Sequence, residues 1–262
     1  MKIKEKATII SQQCLCDGIY SMVIATKAAQ YARPGQFLSL YCDSAARLLP
    51  RPISICEIGS GDSAGRIRLV YRVAGAGTDD FSRLKDGDTI DILGPNGNGF
   101  LQAAGDDAQA KKALLIGGGI GIPPLVELAK QLPGEVTVVA GYRSSSQMFL
   151  TEELKAVADL YVATDDGSCG SAGTVIDAIN ENGITADVIF SCGPGPMLRG
   201  VKDLAEKMNI SAYVSLEERM ACGVGACLGC VCTTTGIDDH SKVNNARVCV
   251  DGPVFPASEV KL

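Results

Sequence analysis

The C-terminal cysteines constrain this chain more than any other feature. Cys222, Cys227 and Cys230 stand in the run Cys-Gly-Val-Gly-Ala-Cys-Leu-Gly-Cys, and Cys249 follows in Arg-Val-Cys-Val-Asp-Gly-Pro. The spacing, C-x4-C-x2-C with a distant fourth cysteine, is that of a plant-type [2Fe–2S] site. Such a segment has to fold as a loop that brings several thiolates onto one small volume and turns main-chain N–H groups toward the sulfurs. Small residues such as Gly223, Gly225, Ala226 and Gly229 let the main chain wrap that closely. A structural zinc site or disulfides are the competing readings. Zinc usually shows paired C-x2-C units, and only Cys227 and Cys230 make one here. The candidate metal ligands are therefore Cys222, Cys227, Cys230 and Cys249. Cys232 lies two residues past Cys230, would point to the other side of an extended segment, and is read as a non-ligand. A Rieske centre needs two histidines, so the lone His240 reads as a surface loop residue.

Of the 11 cysteines, the others (Cys14, Cys16, Cys42, Cys56, Cys169 and Cys192) are scattered singly. A secreted disulfide framework would be shorter and denser in cysteine, so a reducing compartment is expected. The N-terminus carries charge but no apolar signal region, and no apolar run reaches membrane-spanning length. The richest stretch, Ala113 to Leu128, is broken by Gly117, Gly118, Gly119, Gly121, Pro123 and Pro124. A cytoplasmic protein with no membrane contact is expected. Net charge is −6, from 24 basic and 30 acidic residues, and aromatic residues are only 5%. Neither an electrostatic footprint for nucleic acid nor a base-stacking platform is present.

The 262 residues divide into three parts. Residues 1–105 read as antiparallel β, with short alternating runs at Lys6–Ile10, Ile19–Thr26, Gln36–Cys42, Pro52–Ile58, Arg66–Val73 and Thr89–Leu93, separated by turn residues. Six strands at this spacing predict a small barrel, interrupted by one helix at Thr78–Leu84 with Gly77-Thr78 at its start. Gly105 to Ala110 reads as a linker. Residues 106–215 alternate strand and helix, which predicts a parallel, doubly wound sheet. Residues 216–262 form a module too small for much of a core without its metal.

Gly117-Gly118-Gly119-Ile120-Gly121 sits in the first strand-to-helix turn of the second part, where N–H groups and the helix dipole attract phosphate. The full G-x-G-x-x-G spacing is absent, so this turn alone is a weak dinucleotide signal. Thr164-Asp165-Asp166-Gly167 and Cys192-Gly193-Pro194 also follow predicted strands, at the carboxyl edge where open α/β sheets bind ligands. In the barrel, Arg51-Pro52-Ile53-Ser54 opens a strand. Arg51 could grip a phosphate with two N–H donors, and Ser54 could hydrogen-bond a ring nitrogen.

Taken together, these motifs resemble the ferredoxin reductase superfamily, in the branch that joins a flavin barrel, a nicotinamide-binding domain and a C-terminal cluster module. Over nearly the whole chain the resemblance is to the electron-transfer subunits of dihydroorotate dehydrogenase B. It is carried by Pro34-Gly35-Gln36-Phe37, Arg51–Ser54, Gly94-Pro95-Asn96-Gly97-Asn98-Gly99-Phe100, Gly117–Leu125, Ala163–Gly167, Glu218–Gly223 and Val248–Phe255. The resemblance implies FAD held by Arg51, Pro52, Ile53, Ser54, Val70, Tyr71, Arg72, Gly77 and Thr78. It also implies NAD at Gly117, Gly118, Gly119, Gly121, Asp165, Cys192, Gly193 and Pro194. Much of the superfamily has Tyr where this chain has Ile53, so aromatic stacking is not expected there. The partner implied is an FMN-containing catalytic subunit that oxidises dihydroorotate in pyrimidine biosynthesis, in a heterotetramer of two chains of each kind.

Electron counting leads to a relay on its own terms. A cluster passes single electrons, nicotinamide exchanges a hydride, and a flavin does both. No stretch could encode a complete (β/α)8 barrel, typically about 250 residues, for a second organic substrate. The competing functional readings are a subunit of a ferredoxin-dependent NADP oxidoreductase and a metal-binding redox module without turnover.

Overall fold

Alternating apolar positions in the N-terminal part produce six antiparallel strands: β1 (Ile3–Cys16), β2 (Ile19–Ala25), β3 (Phe37–Tyr41), β4 (Arg51–Ile58), β5 (Arg66–Arg72) and β6 (Thr89–Asn96). The structure, a computed structural model, describes residues 1–44, 46–237 and 242–262, so His240 lies outside the described residues. The strands close into a barrel in the order β1-β2-β5-β4-β3-β6. Ile24, Leu38, Leu40, Ile55, Ile67, Leu69 and Ile92 fill its interior. β1 outruns the expected Lys6–Ile10 because it pairs with β6 over Ile3–Thr8 and with β2 from Thr8 to Cys16. Its second half exposes Ser11 and Gln13, which weakens the apolar alternation there.

Helix α1 (Ala76–Ser82) starts two residues before the expected position. The Thr78 hydroxyl accepts from the N–H groups of Ala74 at 2.9 Å and Gly75 at 3.2 Å, which makes Gly75 the cap. The expected linker is a packed turn. Helix α2 (Phe100–Ala104) runs into a 3-10 turn at Gly105–Gln109, with Ala108 buried and the Tyr213 hydroxyl donating to Asp107 Oδ2 at 2.7 Å.

The second part alternates β7 (Lys112–Gly118), α3 (Pro123–Gln131), β8 (Glu135–Tyr142), α4 (Thr151–Lys155), β9 (Asp159–Thr164), β10 (Ser171–Ala172), α5 (Val175–Glu181), β11 (Val188–Cys192), α6 (Gly195–Met208) and β12 (Ser211–Ser215). Pro123 and Pro124 occupy the first turn of α3, where a missing N–H costs nothing. Helix α4 is shorter than the 147–157 pattern predicts. Phe149 and Leu150 are buried, and the Phe149 carbonyl takes the Tyr142 hydroxyl at 2.7 Å, so the chain enters the helix late. The last part adds a short pair, β13 (Val231–Thr233) with β14 (Asn245–Arg247), and then β15 (Val254–Pro256).

The large sheet runs β10-β9-β8-β7-β11-β12-β15. Its pairs are parallel except β12 with β15, so the C-terminal segment supplies the antiparallel edge strand. The winding reverses between β7 and β11, which opens a crevice at their carboxyl ends. One face of this sheet shares a core with the barrel through Ile19, Cys56 and Val70. The other packs α5, α6 and the cysteine module, including Met220, Cys230, Val248 and Cys249.

Charge reinforces the joint between barrel and sheet. Arg68 of β5 reaches Glu57 at 2.7 Å and Glu153 of α4 at 3.2 Å, while Lys130 of α3 also pairs with Glu57. Glu127 of α3, buried, accepts the Ile58 N–H at 2.8 Å. Glu127→Ala strands that N–H, which should cost about 1–3 kcal/mol in urea unfolding. Glu127→Gln keeps an acceptor and should recover most of the loss.

Candidate functional site

The four candidate ligand cysteines converge as two pairs. Cys222 lies beside Cys227 and Cys230 beside Cys249, with Cys222 near enough to influence Cys249. Among the described residues, three His, Cys, Asp or Glu side chains are nowhere gathered around one point. Two pairs of thiols instead match the two irons of a [2Fe–2S] centre, so the donor set fits the group the spacing predicted.

The loop also supplies donors. Val224 N–H lies 3.4 Å from Cys222 Sγ, and Gly229 N–H lies 3.4 Å from Cys227 Sγ. Hydrogen bonding, first from Val224, pulls the Cys222 thiol down to about 6, so it is a thiolate at neutral pH. Burial, with Cys230 beside it, pushes the Cys249 thiol up to about 12. Gly223 takes φ +68, and a β-carbon on it would fall 2.7 Å from Ser39 Oγ of β3, so this loop residue meets two demands only glycine satisfies. Cys232 lies in β13 opposite Ala246, its thiol raised by burial and by Glu218 and Asp251 rather than by another cysteine.

The module is strapped to the barrel end by two segments of the sequence motif pattern that lie far apart in the chain. Asn98 N–H donates to the Gly252 carbonyl at 2.6 Å, and Asn98 Nδ2 reaches the carbonyls of Val250 at 3.3 Å and Asp251 at 3.1 Å. Leu216 N–H donates to the Pro253 carbonyl at 2.9 Å. Arg247 and Asp251 close the loop with a forked ion pair, Nη2 to Oδ1 at 3.0 Å and Nε to Oδ2 at 3.0 Å.

Beside the cysteine loop, β4 and β5 present a platform. Ile53 and Ile55 pack toward the barrel interior, so Pro52 and Ser54 face outward. The register pairs Ile55 with Leu69, which sets Ser54 beside Val70, with Arg72 further along the same face and exposed. Val70 shares a core with Ile122, just after the glycine turn. Tyr71 points the other way: its ring is buried, stacks on Tyr20 at 6.0 Å, and its hydroxyl donates to Gln12 at 3.1 Å. What Tyr71 can offer a ligand is its main chain. At the platform's end the Arg51 guanidinium donates to the Leu49 carbonyl and fills the space a Gly77 side chain would occupy, over the first turn of α1. The Thr78 hydroxyl is spent on capping, and Gly77 and Thr78 are both buried in this first turn.

The third surface is the crevice between β7 and β11. Cys192 pairs with Gly117 across the strands. Gly121 packs directly on the Cys192 carbonyl, and a β-carbon on Gly193 would come 3.1 Å from the Gly118 N–H. Gly118 faces Met197 and Pro194, so the two turns form one continuous backbone cradle. Gly119 has φ +52 with open space around it. Asp165 ends β9 two strands away on the same edge, exposed, its N–H bonded to the Tyr142 carbonyl at 3.0 Å. The Cys192 thiol is buried, which pushes it up to about 12, with Glu217 adding to the effect. Burial raises the Glu217 carboxyl, with the charge of Arg72 opposing the rise. Sequence reasoning singled out each of these three surfaces but missed Ser39 as a contact of the cysteine loop, since a lone Ser in a strand carries no signal.

Comparison with known proteins bears on all three surfaces. Residues 217–261 match the iron–sulfur cluster binding domain of dihydroorotate dehydrogenase B. The chain is 45% identical over 266 residues to the dihydroorotate dehydrogenase B (NAD(+)) electron transfer subunit of Geobacillus kaustophilus, covering 99% of each. It is 44% identical to that of Listeria monocytogenes, covering 99% of this chain and 100% of the relative. The chain belongs to the family of dihydroorotate dehydrogenase B electron-transfer subunits. Its fold is also that of an NADH-dependent reduced ferredoxin-NADP oxidoreductase, with TM-score 0.84 over 97% of this chain and 89% of the other, at 28% identity. The higher identity over full length separates the dihydroorotate dehydrogenase B family from that second reading. A ferredoxin NADP+ reductase from Neisseria gonorrhoeae, at 16% identity and TM-score 0.65 over 82% of this chain and 94% of the other, shares the fold alone. No helix among the described residues is long and apolar enough to cross a membrane.

Replacement of Cys222, Cys227, Cys230 or Cys249 by Ser should abolish or strongly alter a [2Fe–2S] signal in electron paramagnetic resonance, while Cys232→Ser should retain it. An unaltered spectrum in Cys249→Ser would remove the fourth ligand assigned here.

Proposed function

We propose that this chain carries electrons from a dihydroorotate-oxidising, FMN-containing catalytic subunit to NAD+ in pyrimidine biosynthesis, as part of a heterotetramer with two chains of each kind. The observation that carries the reading is adjacency. The cysteine loop rests on β3, the outward face of β4 and β5 lies next to it, and the glycine crevice follows through Val70 and Ile122. FAD on that middle surface would supply the conversion between single electrons and a hydride.

Each group of residues then has a task in this reading, with units at 1–105, 106–215 and 216–262. Arg51, already lying over the open turn of α1, grips the FAD pyrophosphate with the N–H groups of Gly77 and Thr78. Ser54 offers its hydroxyl to the ring, Pro52, Val70 and Arg72 shape the surface beneath it, and Ile53 and Tyr71, their side chains turned into the barrel, contribute main chain. Gly117, Gly118, Gly119 and Gly121 let the NAD phosphates approach the main chain. Cys192, Gly193 and Pro194 wall the nicotinamide side, and Asp165 reaches toward the ribose end. Cys192 acts as a small apolar wall, because its thiol stays protonated.

Arg51→Ala removes a charge-assisted contact worth roughly 1.5–3 kcal/mol, about 10- to 150-fold in FAD affinity. The variant should purify with substoichiometric FAD and regain it on addition, and undiminished retention at high dilution would remove Arg51 from the site.

Division of labour tests the whole reading. The isolated chain should oxidise NADH with an artificial acceptor and should not oxidise dihydroorotate. Adding the catalytic subunit should restore dihydroorotate-dependent NAD+ reduction, and the cysteine variants should lose that coupling while keeping NADH oxidation. Dihydroorotate turnover by the isolated chain would overturn the assignment.

A further inference from the structure

Ser39 and Asn96 stand between the platform and the cysteine loop. Leu38 and Leu40 point into the barrel core, so Ser39 faces outward, yet it is 0% exposed. On one side it pairs across strands with Pro52, a platform residue. On the other it meets Gly223, the residue after Cys222.

Asn96 is also 0% exposed. Its Nδ2 donates to the Leu93 carbonyl at 2.8 Å and to Ser39 Oγ at 3.2 Å. The first bond fixes which way the amide points, since a flipped amide would set two oxygens together. Ser39 Oγ is thereby made an acceptor toward Asn96, and its own proton must point elsewhere. The neighbour on that remaining side is the Cys222–Gly223 segment. The arrangement is costly: Asn96 Oδ1 is buried with no hydrogen-bond partner among the described residues. An apolar side chain would pack this position without that cost, so the amide is retained for what it does to Ser39.

Resting on the cluster reading above, we propose that Ser39, oriented by Asn96, is a positioning residue for the cluster. Its hydroxyl proton is directed into the Cys222–Gly223 segment and raises the cluster's reduction potential relative to the flavin. The physical basis is general. Hydrogen bonds toward a cluster's sulfurs and their ligands stabilise the more negative, reduced form.

The test is a redox titration of the full-length chain, followed by visible absorption and electron paramagnetic resonance, with iron and FAD contents measured alongside. Ser39→Ala should keep its iron and FAD, show a cluster potential more negative than wild type, and shift the g-values. Asn96→Ala should move the potential the same way by less. Thr235→Ala, which removes a bond to the Ser258 carbonyl within the module without touching Ser39 or the strap, is the control and should leave the potential in place. An unmoved potential and spectrum in Ser39→Ala would overturn the proposal, as would an equal shift in Thr235→Ala, because general loosening of the module would then explain both. If Ser39→Ala fails to hold iron, Ser39→Thr decides: a wild-type potential supports the hydroxyl's role, and an iron-free or shifted protein overturns it. A wild-type chain with no [2Fe–2S] signal would overturn the cluster reading itself, whereas a normal wild type with an unresponsive Ser39→Ala overturns this inference alone.

Discussion

The strap from Asn98 to the 250–252 main chain is the contact on which the rest of the arrangement depends. Three donor–acceptor contacts from one residue hold the C-terminal segment to the barrel end, and this segment begins at Cys249. Without it, the fourth thiol would hang from a loop of small residues with little intrinsic order. With it, Cys249 is buried beside Cys230, and the same segment continues into β15 on the sheet. One short stretch therefore ties barrel, sheet and cysteine loop into a single spatial relationship.

That relationship explains how a module with almost no regular structure acquires a definite shape. Its pairs β13 and β14 are three residues each, too short to stand alone in water. Its apolar residues instead enter the core on the far face of the sheet, beside Ile116, Val139 and Val214. The cysteine loop is left mostly near solvent, with Cys227, Val224 and Leu228 exposed. Firm backing behind an open rim suits a centre that must hand electrons outward without rearranging.

Much of this was legible in the sequence, and the reasons differ by element. The barrel and the sheet follow from period-two runs and strand–helix alternation, signals that survive because each face is buried against one partner. The candidate cysteines stand out by spacing because two irons and four thiolates would leave the loop little freedom. Boundaries were less readable where long-range contacts set them. β1 runs past its apolar pattern because two strands share it, and α1 starts early because a threonine two positions inside the helix caps it. The stretch from Gly105, polar enough to read as a linker, is pinned by a tyrosine more than a hundred residues away. Ser39 could not be found at all, because its role exists only once Gly223 is laid against it.

The edge strand carries one consequence for the life of the protein in the cell. β12 is an apolar strand, Ser211 to Ser215, whose outer edge is covered only by Val254–Pro256. Those covering residues follow directly on Cys249 and the Asn98 strap. A chain whose cysteine segment came away from the barrel would therefore present an open, sticky sheet edge, the kind of surface that templates aggregation and recruits proteolytic quality control. Seating of the cysteine segment and survival of the chain are joined through three residues of backbone pairing.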